Sequence, residues 1–537
     1  MFKRNWIFIL FLVILILITY ANSLNNAFLS DDLAEIVNNP KVGDLSSIFT
    51  RPFGFIRLIV YWAAYHIGGL NPAVFRFTNF LFHIGSTITI FFILVKLYRS
   101  RLIAFLAAAI FAVHPAFAEA VVWISGGMYP QYSFFLLLSF YFYISSEKKA
   151  LFYWASVVFF LFSFMSHPVM PAGLFLIFPL YDLCFGNLKK HWIKSIPFLL
   201  ILVAYIFINL GALSERESTL QTVHYQERGV DNIFIIIPIA LSSYFELIFW
   251  PQTLTLYHSE LFFNTYIFIL RASVTLLFFA AAIFAFFKNK SIFFWLAFFF
   301  LALSPTLTPF RLNWIMAERY LYLASLGIII PFVLLLKKVY KLSDKFKMVV
   351  LVLSIIIISL LSIRTIFRNI DWKNEDNLWI ATGKTSPSSP NTHNNLGDVY
   401  GRWGDKQRSL QEFLYAIQLK EDYADAYHNA GNVYKELGQN DKALEYYQKA
   451  ASLSPVLWQS YQNMAAIYFE MQQYDKAIEA IQKGISINPK NPNILSNLGV
   501  IYLTMNDKEK AKEIFMQVLT MDPQNQYARA GLIEANK

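Results

Sequence analysis

Two adjacent carboxylates, Asp31 and Asp32, follow the first long apolar run of this chain in the string Phe28-Leu29-Ser30-Asp31-Asp32-Leu33. By themselves they read as a solvated loop with an N-cap for a following helix. Other polar groups change that reading: His114-Pro115 with Glu119, Ser166-His167-Pro168, Tyr257-His258, and Ala317-Glu318-Arg319-Tyr320 all stand at the ends of apolar runs. Arg76, Asn79, His83 and Arg271 lie within such runs. Ionisable groups at membrane depth are rare and default to a functional role facing a cavity. Carboxylates, histidines and arginines gathered at one membrane face suit a reaction on a lipid-borne anion. Arginine holds phosphate through charge-assisted, often bidentate hydrogen bonds, and a carboxylate can take the proton of an attacking hydroxyl. No Gly-rich phosphate loop, HExxH or GxSxG string is present. The one cysteine, Cys184, allows no internal disulfide and no cysteine-based metal site.

The elements that must position these groups are apolar helices. Of 537 residues 56% are hydrophobic and 15% charged, with mean hydropathy +0.44, well below the roughly one-quarter charge of soluble chains. The composition divides: Phe, Ile and Leu runs dominate before Arg368, and the chain turns polar after Pro390. The expected organisation is a transmembrane domain over 1–368, a linker over 369–390 and a repeat array over 391–537. Spans of about 20 residues, or fewer where short or tilted, are expected near 5–23, 74–95, 101–114, 130–146, 150–166, 170–186, 194–212, 264–287, 291–305, 320–338 and 347–365. The run 232–250 is interrupted by Pro238 and carries Ser242, Ser243 and Glu246. It is expected to be re-entrant or interfacial, a broken helix tolerated where it is buried in protein. Basic connections at 187–194 and 288–290 both read as cytoplasmic by the positive-inside bias, which requires an even number of crossings between them. About eleven crossings result, with the N-terminus inside and the repeats outside. The same bias accounts for the net charge of +10, so no nucleic-acid partner is expected.

Internal repetition is the strongest pattern. Tyr400, Tyr434, Tyr468 and Tyr502 close four similar strings and follow one another at intervals of 34 residues, the period of the tetratricopeptide repeat (TPR). Small residues Ser409, Ala443, Ala477 and Ala511 recur where paired helices must approach, and Pro455, Pro489 and Pro523 stop the second helices. These are packing positions; His393 and His428 read as ordinary surface or groove residues. Four stacked helix pairs and a capping helix from Gln524 give a concave surface for peptides or proteins.

Several strings also resemble one family. Asp31-Asp32 after the first span, Asn79 and His83 in Phe75-Arg76-Phe77-Thr78-Asn79-Phe80-Leu81-Phe82-His83, and His114-Pro115 through Glu119 to Trp123 occur in order. Trp250-Pro251-Gln252-Thr253-Leu254 and Ala317-Glu318-Arg319-Tyr320-Leu321-Tyr322-Leu323 follow. With the distal repeats, these resemble the transmembrane and TPR-containing O-mannosyltransferases and their bacterial relatives, of the GT-C superfamily. The resemblance implies an all-α fold, a GT-C-like helical bundle followed by a TPR solenoid. It implies transfer of a sugar, with mannose a candidate, from a polyprenyl-phosphate donor on the lumenal or periplasmic face, usually with inversion. Asp31 would be the general base with Asp32 beside it, and Glu318 and Arg319 would lie at the donor phosphate. Arg76, Asn79, His83, His114, Glu119 and Arg271 complete the expected donor-binding set. Ser166-His167-Pro168 stands where relatives often show Ser-Lys-Glu, and Ala324 where they often show proline; the first departure implies a different sugar or lost activity.

Four readings follow: sugar transfer to a protein serine or threonine, the same chemistry on a cell-envelope glycan or lipid, a non-catalytic TPR scaffold, and a flippase of lipid-linked sugars. Against a flippase stands the lack of an internal inverted repeat; against a pure scaffold stand the many spans with buried arginines. No cofactor is dictated; the carboxylates leave a divalent cation open, and the lipid-linked sugar is the donor. Expected partners are membrane lipid, that donor, and a protein or peptide in the TPR groove. A bacterial inner membrane with periplasmic repeats, or an endoplasmic-reticulum membrane with lumenal repeats, is the expected location.

Overall fold

The computed structural model describes residues 5–50, 54–223, 232–261, 264–308 and 314–537, with helices and no strand among them. It divides into two compact units, Met1–Thr385 and Ser386–Lys537. The boundary differs from the expected one. Residues 369–385 are not a linker: the helix Asp344–Asp371 runs on past 368, and Glu375–Thr385 forms another helix. Trp372 and Leu378 are buried in the core of the first unit, so apolar side chains hold this segment there.

In the first unit, five helices are long and apolar enough to cross a membrane: Trp6–Ser23, Pro72–Tyr98, Leu188–Ile208, Thr265–Lys288 and Asp344–Asp371. Two bent pairs, Arg101–Val113 with Pro115–Val121 and Glu318–Ala324 with Leu326–Tyr340, raise the number to seven if each is one span. The chain is a multi-pass membrane protein. Four shorter apolar helices, Ala150–Ser166, Ala172–Cys184, Ile233–Phe249 and Lys290–Thr306, and the helix Met128–Tyr143 account for the other apolar runs. At 1.5 Å per residue, helices of 13–17 residues reach only about 20–26 Å against a hydrocarbon core of about 30 Å, so length alone gives fewer than the eleven crossings expected. The run at 232–250 differs from expectation in being unbroken. Ile233–Phe249 is one helix through Pro238, because proline in its second turn removes only one hydrogen bond.

Local signals start and stop these helices. Asn71 caps Pro72–Tyr98 by accepting from the Ala73 N–H at 3.0 Å, and Arg99 closes it in the left-handed region. Asn264 and Ser343 cap the helices that follow them. Pro72–Tyr98 is central, with half of its most apolar window buried, whereas the corresponding share in Thr265–Lys288 and Asp344–Asp371 is 11%. The outward Leu276, Leu277, Phe284 and Phe287 on Thr265–Lys288 form an apolar surface that water would disfavour and lipid accepts. Inside, Arg101–Val113 buries Ala104, Ala107, Ala108, Ala109 and Ala112 completely, the small-residue packing that lets membrane helices approach closely.

The second unit is a solenoid of four helix pairs, from Pro390–Arg402 with Lys406–Leu419 to Pro492–Thr504 with Lys508–Met521, followed by Gln526–Ala535. Ser409, Ala443, Ala477 and Ala511 are buried where the paired helices meet. Gly431 faces the Tyr447 ring so closely that a Cβ there would lie 2.8 Å from it.

Candidate active site

The two bends bring distant charges together. Pro115 breaks its helix by 55°, and the second pair turns by 51° at its own junction. His114 caps the first break: its Nδ1 accepts from the Ala116 N–H at 3.3 Å. Each bend leaves a short limb carrying charge, Glu119 on one and Glu318-Arg319 on the other, and the two limbs meet. Glu119 Oε2 accepts from the Arg319 backbone N–H at 2.8 Å, and its Oε1 pairs with Arg319 Nη1. The Arg319 guanidinium also lies over the rings of Tyr320 and Trp123, at 5.1 and 5.8 Å. Glu318 turns the other way. Its carboxylate accepts from the Thr255 N–H and from Arg368 Nη2, the latter at 3.2 and 3.3 Å, while Arg368 Nη1 reaches Asp371 at 2.9 Å. Glu318 and Arg368 are both fully buried, and a buried pair of this kind is costly to break because the survivor keeps an uncompensated charge.

The carboxylate corner joins this belt through Trp123, whose Nε1 donates to the Leu29 carbonyl at 3.3 Å and whose ring stacks on Trp372 at 6.0 Å. Within the corner the two aspartates have opposite environments. Asp32 is fully buried: Oδ1 accepts from the Ser125 N–H at 2.8 Å and its hydroxyl at 2.5 Å, and Oδ2 from the Leu29 N–H at 3.1 Å. Burial pushes its carboxyl up to about 6, against the lowering pull of those hydrogen bonds and of Arg76. Asp31 is exposed. Ser30 before it takes φ +51°, a left-handed conformation that L-residues adopt at a cost. Nearby, Glu35 pairs with Arg57 at 3.0 Å.

Most of the polar residues at depth are bonded to the chain itself and fasten the fold. Arg76 donates to the carbonyls of Val122, Leu24, Asn26 and Ala27 at 2.6–3.0 Å, tying the chain after the first helix to the Glu119 limb. Asn79 donates to Trp123 O at 3.0 Å and lies against Ile124 O. His83 sits between the Tyr322 hydroxyl at 2.7 Å and Ala112 O at 3.0 Å, and His114 Nε2 lies 3.1 Å from Ile248 O. Their partners are backbone carbonyls freed by bends and loops, which need donors when buried. Arg271 bonds Ser243 at 2.8 Å, Ser242 at 3.1 Å and Glu246 at 3.2 Å. It lines a pocket of about 160 Å³ with Thr255, His258 and Met316. Burial, then the charges of Arg368 and Arg319, holds the His258 imidazole down at about 3 and hence neutral. His167, in the departing Ser-His-Pro string, accepts from the Val169 and Met170 N–H groups at 3.1 and 3.2 Å and packs on Tyr129.

Comparison with known proteins follows this division. Tetratricopeptide repeat models match residues 424–456, 465–506 and 492–525. A Caenorhabditis elegans protein O-mannosyl-transferase is 25% identical over 451 residues, covering 77% of this chain and 63% of the relative. The chain is similar to proteins named as protein O-mannosyl-transferases. The human protein O-mannosyl-transferase TMTC1 is 31% identical over 126 residues, 20% of this chain and 14% of that one. The chain thus spans less than two thirds of the length of these O-mannosyl-transferase relatives. Among solved structures, MamA is 24% identical, with 29% of this chain and 90% of that one covered at a TM-score of 0.27. YrrB, described as a TPR protein with an unusual peptide-binding site, is 19% identical over 32% of this chain and 86% of its own, with a TM-score of 0.26.

Reading motifs alone missed Arg368, Asp371 and Ser125. Arg368 had a signal, a cation with Arg364 at the end of the last apolar run; Ser125 had none. Among the described residues, no cluster of three or more His, Cys, Asp or Glu is placed to hold a metal ion.

Proposed function

We propose that this chain transfers a sugar, mannose being the candidate, from a polyprenyl-phosphate donor to a protein serine or threonine on the non-cytoplasmic face. The observation that carries the reading is the corner itself. An exposed Asp31 is held by a buried, fully bonded Asp32, and one tryptophan separates that corner from Arg319. Asp31 takes the proton of the acceptor hydroxyl as its oxygen bonds to the anomeric carbon. The bond from that carbon to the phosphate oxygen breaks, and polyprenyl phosphate leaves with the electron pair. Attack opposite the leaving group inverts the anomeric centre.

Arg319 is the candidate for the growing charge on the phosphate. Glu119 takes one Nη1 donor and fixes the plane of the guanidinium, which offers five donors in all. The names of the relatives support sugar transfer to protein. The test is incubation of the purified full chain with a panel of polyprenyl-phosphate sugars and a Ser/Thr peptide. A mass gain of one sugar on the peptide, with release of polyprenyl phosphate, is expected with one donor. A folded protein that turns over none of them excludes the reading.

A further inference from the structure

Behind the Glu318 limb lies a small polar pocket that the proposed reaction does not use. It measures about 160 Å³, and its wall includes Ser243, Glu246, Trp250, His258, Glu260 and Arg271. Hydrogen bonds hold that wall in place. Arg271 donates to Ser243 at 2.8 Å, to Ser242 at 3.1 Å and to Glu246 Oε2 at 3.2 Å. The other oxygen of Glu246 has no protein partner among the described residues. Thr255, also in the wall, donates its N–H to Glu318, so the pocket backs onto the limb that carries Arg319.

Three features of the wall select an occupant. The first is charge: two carboxylates stand against one guanidinium, and His258 is neutral. That balance opposes a phosphate and favours an uncharged ligand that donates hydrogen bonds to carboxylate. The second is His258 itself, which makes no hydrogen bond among the described residues and whose Nε2 is shut off from solvent. A neutral imidazole has one donor and one acceptor, and leaving them unbonded in a buried place is costly. A hydroxyl both donates and accepts, so it satisfies either nitrogen once the ring turns about its broad χ2 torsion. The third is Trp250, which is 69% exposed. Its indole N–H is taken by Gln252 Oε1 at 2.8 Å, which fixes the ring and leaves its face as an apolar platform. The pocket is smaller than the about 300–1,000 Å³ of sites for larger ligands, so it suits one small ring.

We propose that this pocket holds one neutral hexopyranose ring, with hydroxyls on Glu246 and His258 and its C–H face on Trp250. A pyranose joins the two chemistries the wall presents. Its edge carries hydroxyls that donate to a carboxylate and bond an imidazole, and its face carries C–H groups that lie on an indole. A lipid chain would leave the carboxylates and the imidazole unbonded, which burial penalises. Two sources supply such a ring: the sugar of the lipid donor, and a sugar already present on the acceptor. The proposal deepens the sugar-transfer reading and rests on it only for the source of the ring. Its test reads binding without transfer, so a failure of transfer and a failure of the pocket are told apart.

The probes are methyl α-mannoside and methyl α-glucoside, titrated by saturation-transfer NMR into the full chain in a detergent without sugar headgroups. At least one should bind with a Kd of about 1–10 mM, the affinity of a few hydrogen bonds and one stacked face. Glu246→Gln keeps the shape but loses the charge-assisted bond, and should weaken that glycoside by about 5–10-fold. Trp250→Ala should weaken it by about 3–10-fold. Both side chains are largely exposed, so both variants should unfold at the parent temperature. Trp154→Ala, which removes an exposed tryptophan of the helix Ala150–Ser166, should leave the affinity unchanged. A polyprenyl-phosphate sugar that displaces the glycoside supports the donor's ring as occupant, and one that binds alongside it supports a sugar on the acceptor. Failure of both glycosides to bind at about 50 mM overturns the proposal. So does affinity indifferent to either variant, which would leave Trp250 as a membrane-interface anchor, or displacement of the glycoside by inorganic phosphate.

Discussion

Replacing Asp31 by asparagine keeps the size of the side chain and removes its capacity to accept a proton. If Asp31 is the base, transfer should fall by about 10²–10⁴-fold, while binding of the lipid donor, measured separately, persists. Full activity in a folded Asp31→Asn variant would remove Asp31 from the mechanism. Asp32 makes a different prediction because its burial raises the folded-state carboxyl from 3.8 to about 6. The folded protein holds this proton more tightly than the unfolded chain. The contribution of Asp32 to stability is therefore greatest below about pH 4 and declines as pH rises to about 6, by about 3 kcal/mol in all. Asp32→Asn cannot ionise, so unfolding temperatures in detergent should show the parent losing ground to the variant over that interval. A constant difference would mean that Asp32 does not titrate there. For Arg319, lysine keeps the charge but loses the planar fork that meets Glu119 and phosphate together. Arg319→Lys should lower turnover markedly in a folded protein; an unchanged rate would free the phosphate role for another cation.

At the scale of elements, the turns inside the repeats offer a sharper test than the helices. Gly404, Gly438, Gln472 and Asn506 stand at intervals of 34 residues between the paired helices, and all have positive φ, from +60° to +80°. Glycine enters that region freely, whereas glutamine meets its own carbonyl. Gln472→Gly should therefore stabilise the array by about 1 kcal/mol, less the backbone entropy glycine adds to the unfolded chain. Asn506→Gly should gain less, because asparagine tolerates this conformation. Chemical denaturation followed by tryptophan emission reads both; destabilisation by Gln472→Gly would contradict the turn geometry. The bent helices follow comparably local rules. Pro115 marks the first break in the sequence, but only the folded packing decides that its short limb turns toward Arg319.

At the scale of the whole molecule, the proposed reaction needs Asp31 and the repeats on the same, non-cytoplasmic side. In a Cys184→Ser background, single cysteines at Asn264 and Asn440 should react with an impermeant thiol reagent in intact cells, and one at Lys190 should not. Labelling at 190 with protection at 440 would reverse the orientation, whereas labelling of both or of neither would make the continuous helix Ile233–Phe249 a crossing. Much of the architecture was legible because its causes are local. Apolar runs, caps such as Asn71 and Ser343, and the 34-residue period each depend on residues within one or two helices. The gathering of His114, Glu119, His258, Glu318 and Arg319 at the ends of the runs was also legible, since charge avoids hydrocarbon.

Partner choice was not. That a buried charge needs a partner follows from solvation, but which partner depends on contacts between residues far apart in sequence. Glu119 meets Arg319 across 200 positions, Arg368 meets Glu318 across 50, and Asp32 meets Ser125 across 93. The sequence by itself determined that this chain has a helical membrane unit and four repeats, because hydrophobicity and period are properties of short segments. Only the tertiary structure decided that Asp31 is exposed and Asp32 buried, that Arg76 binds backbone, and that Arg319 is anchored by Glu119. Burial and pairing are set by what the rest of the chain packs against each side chain, and no short window of residues carries that information.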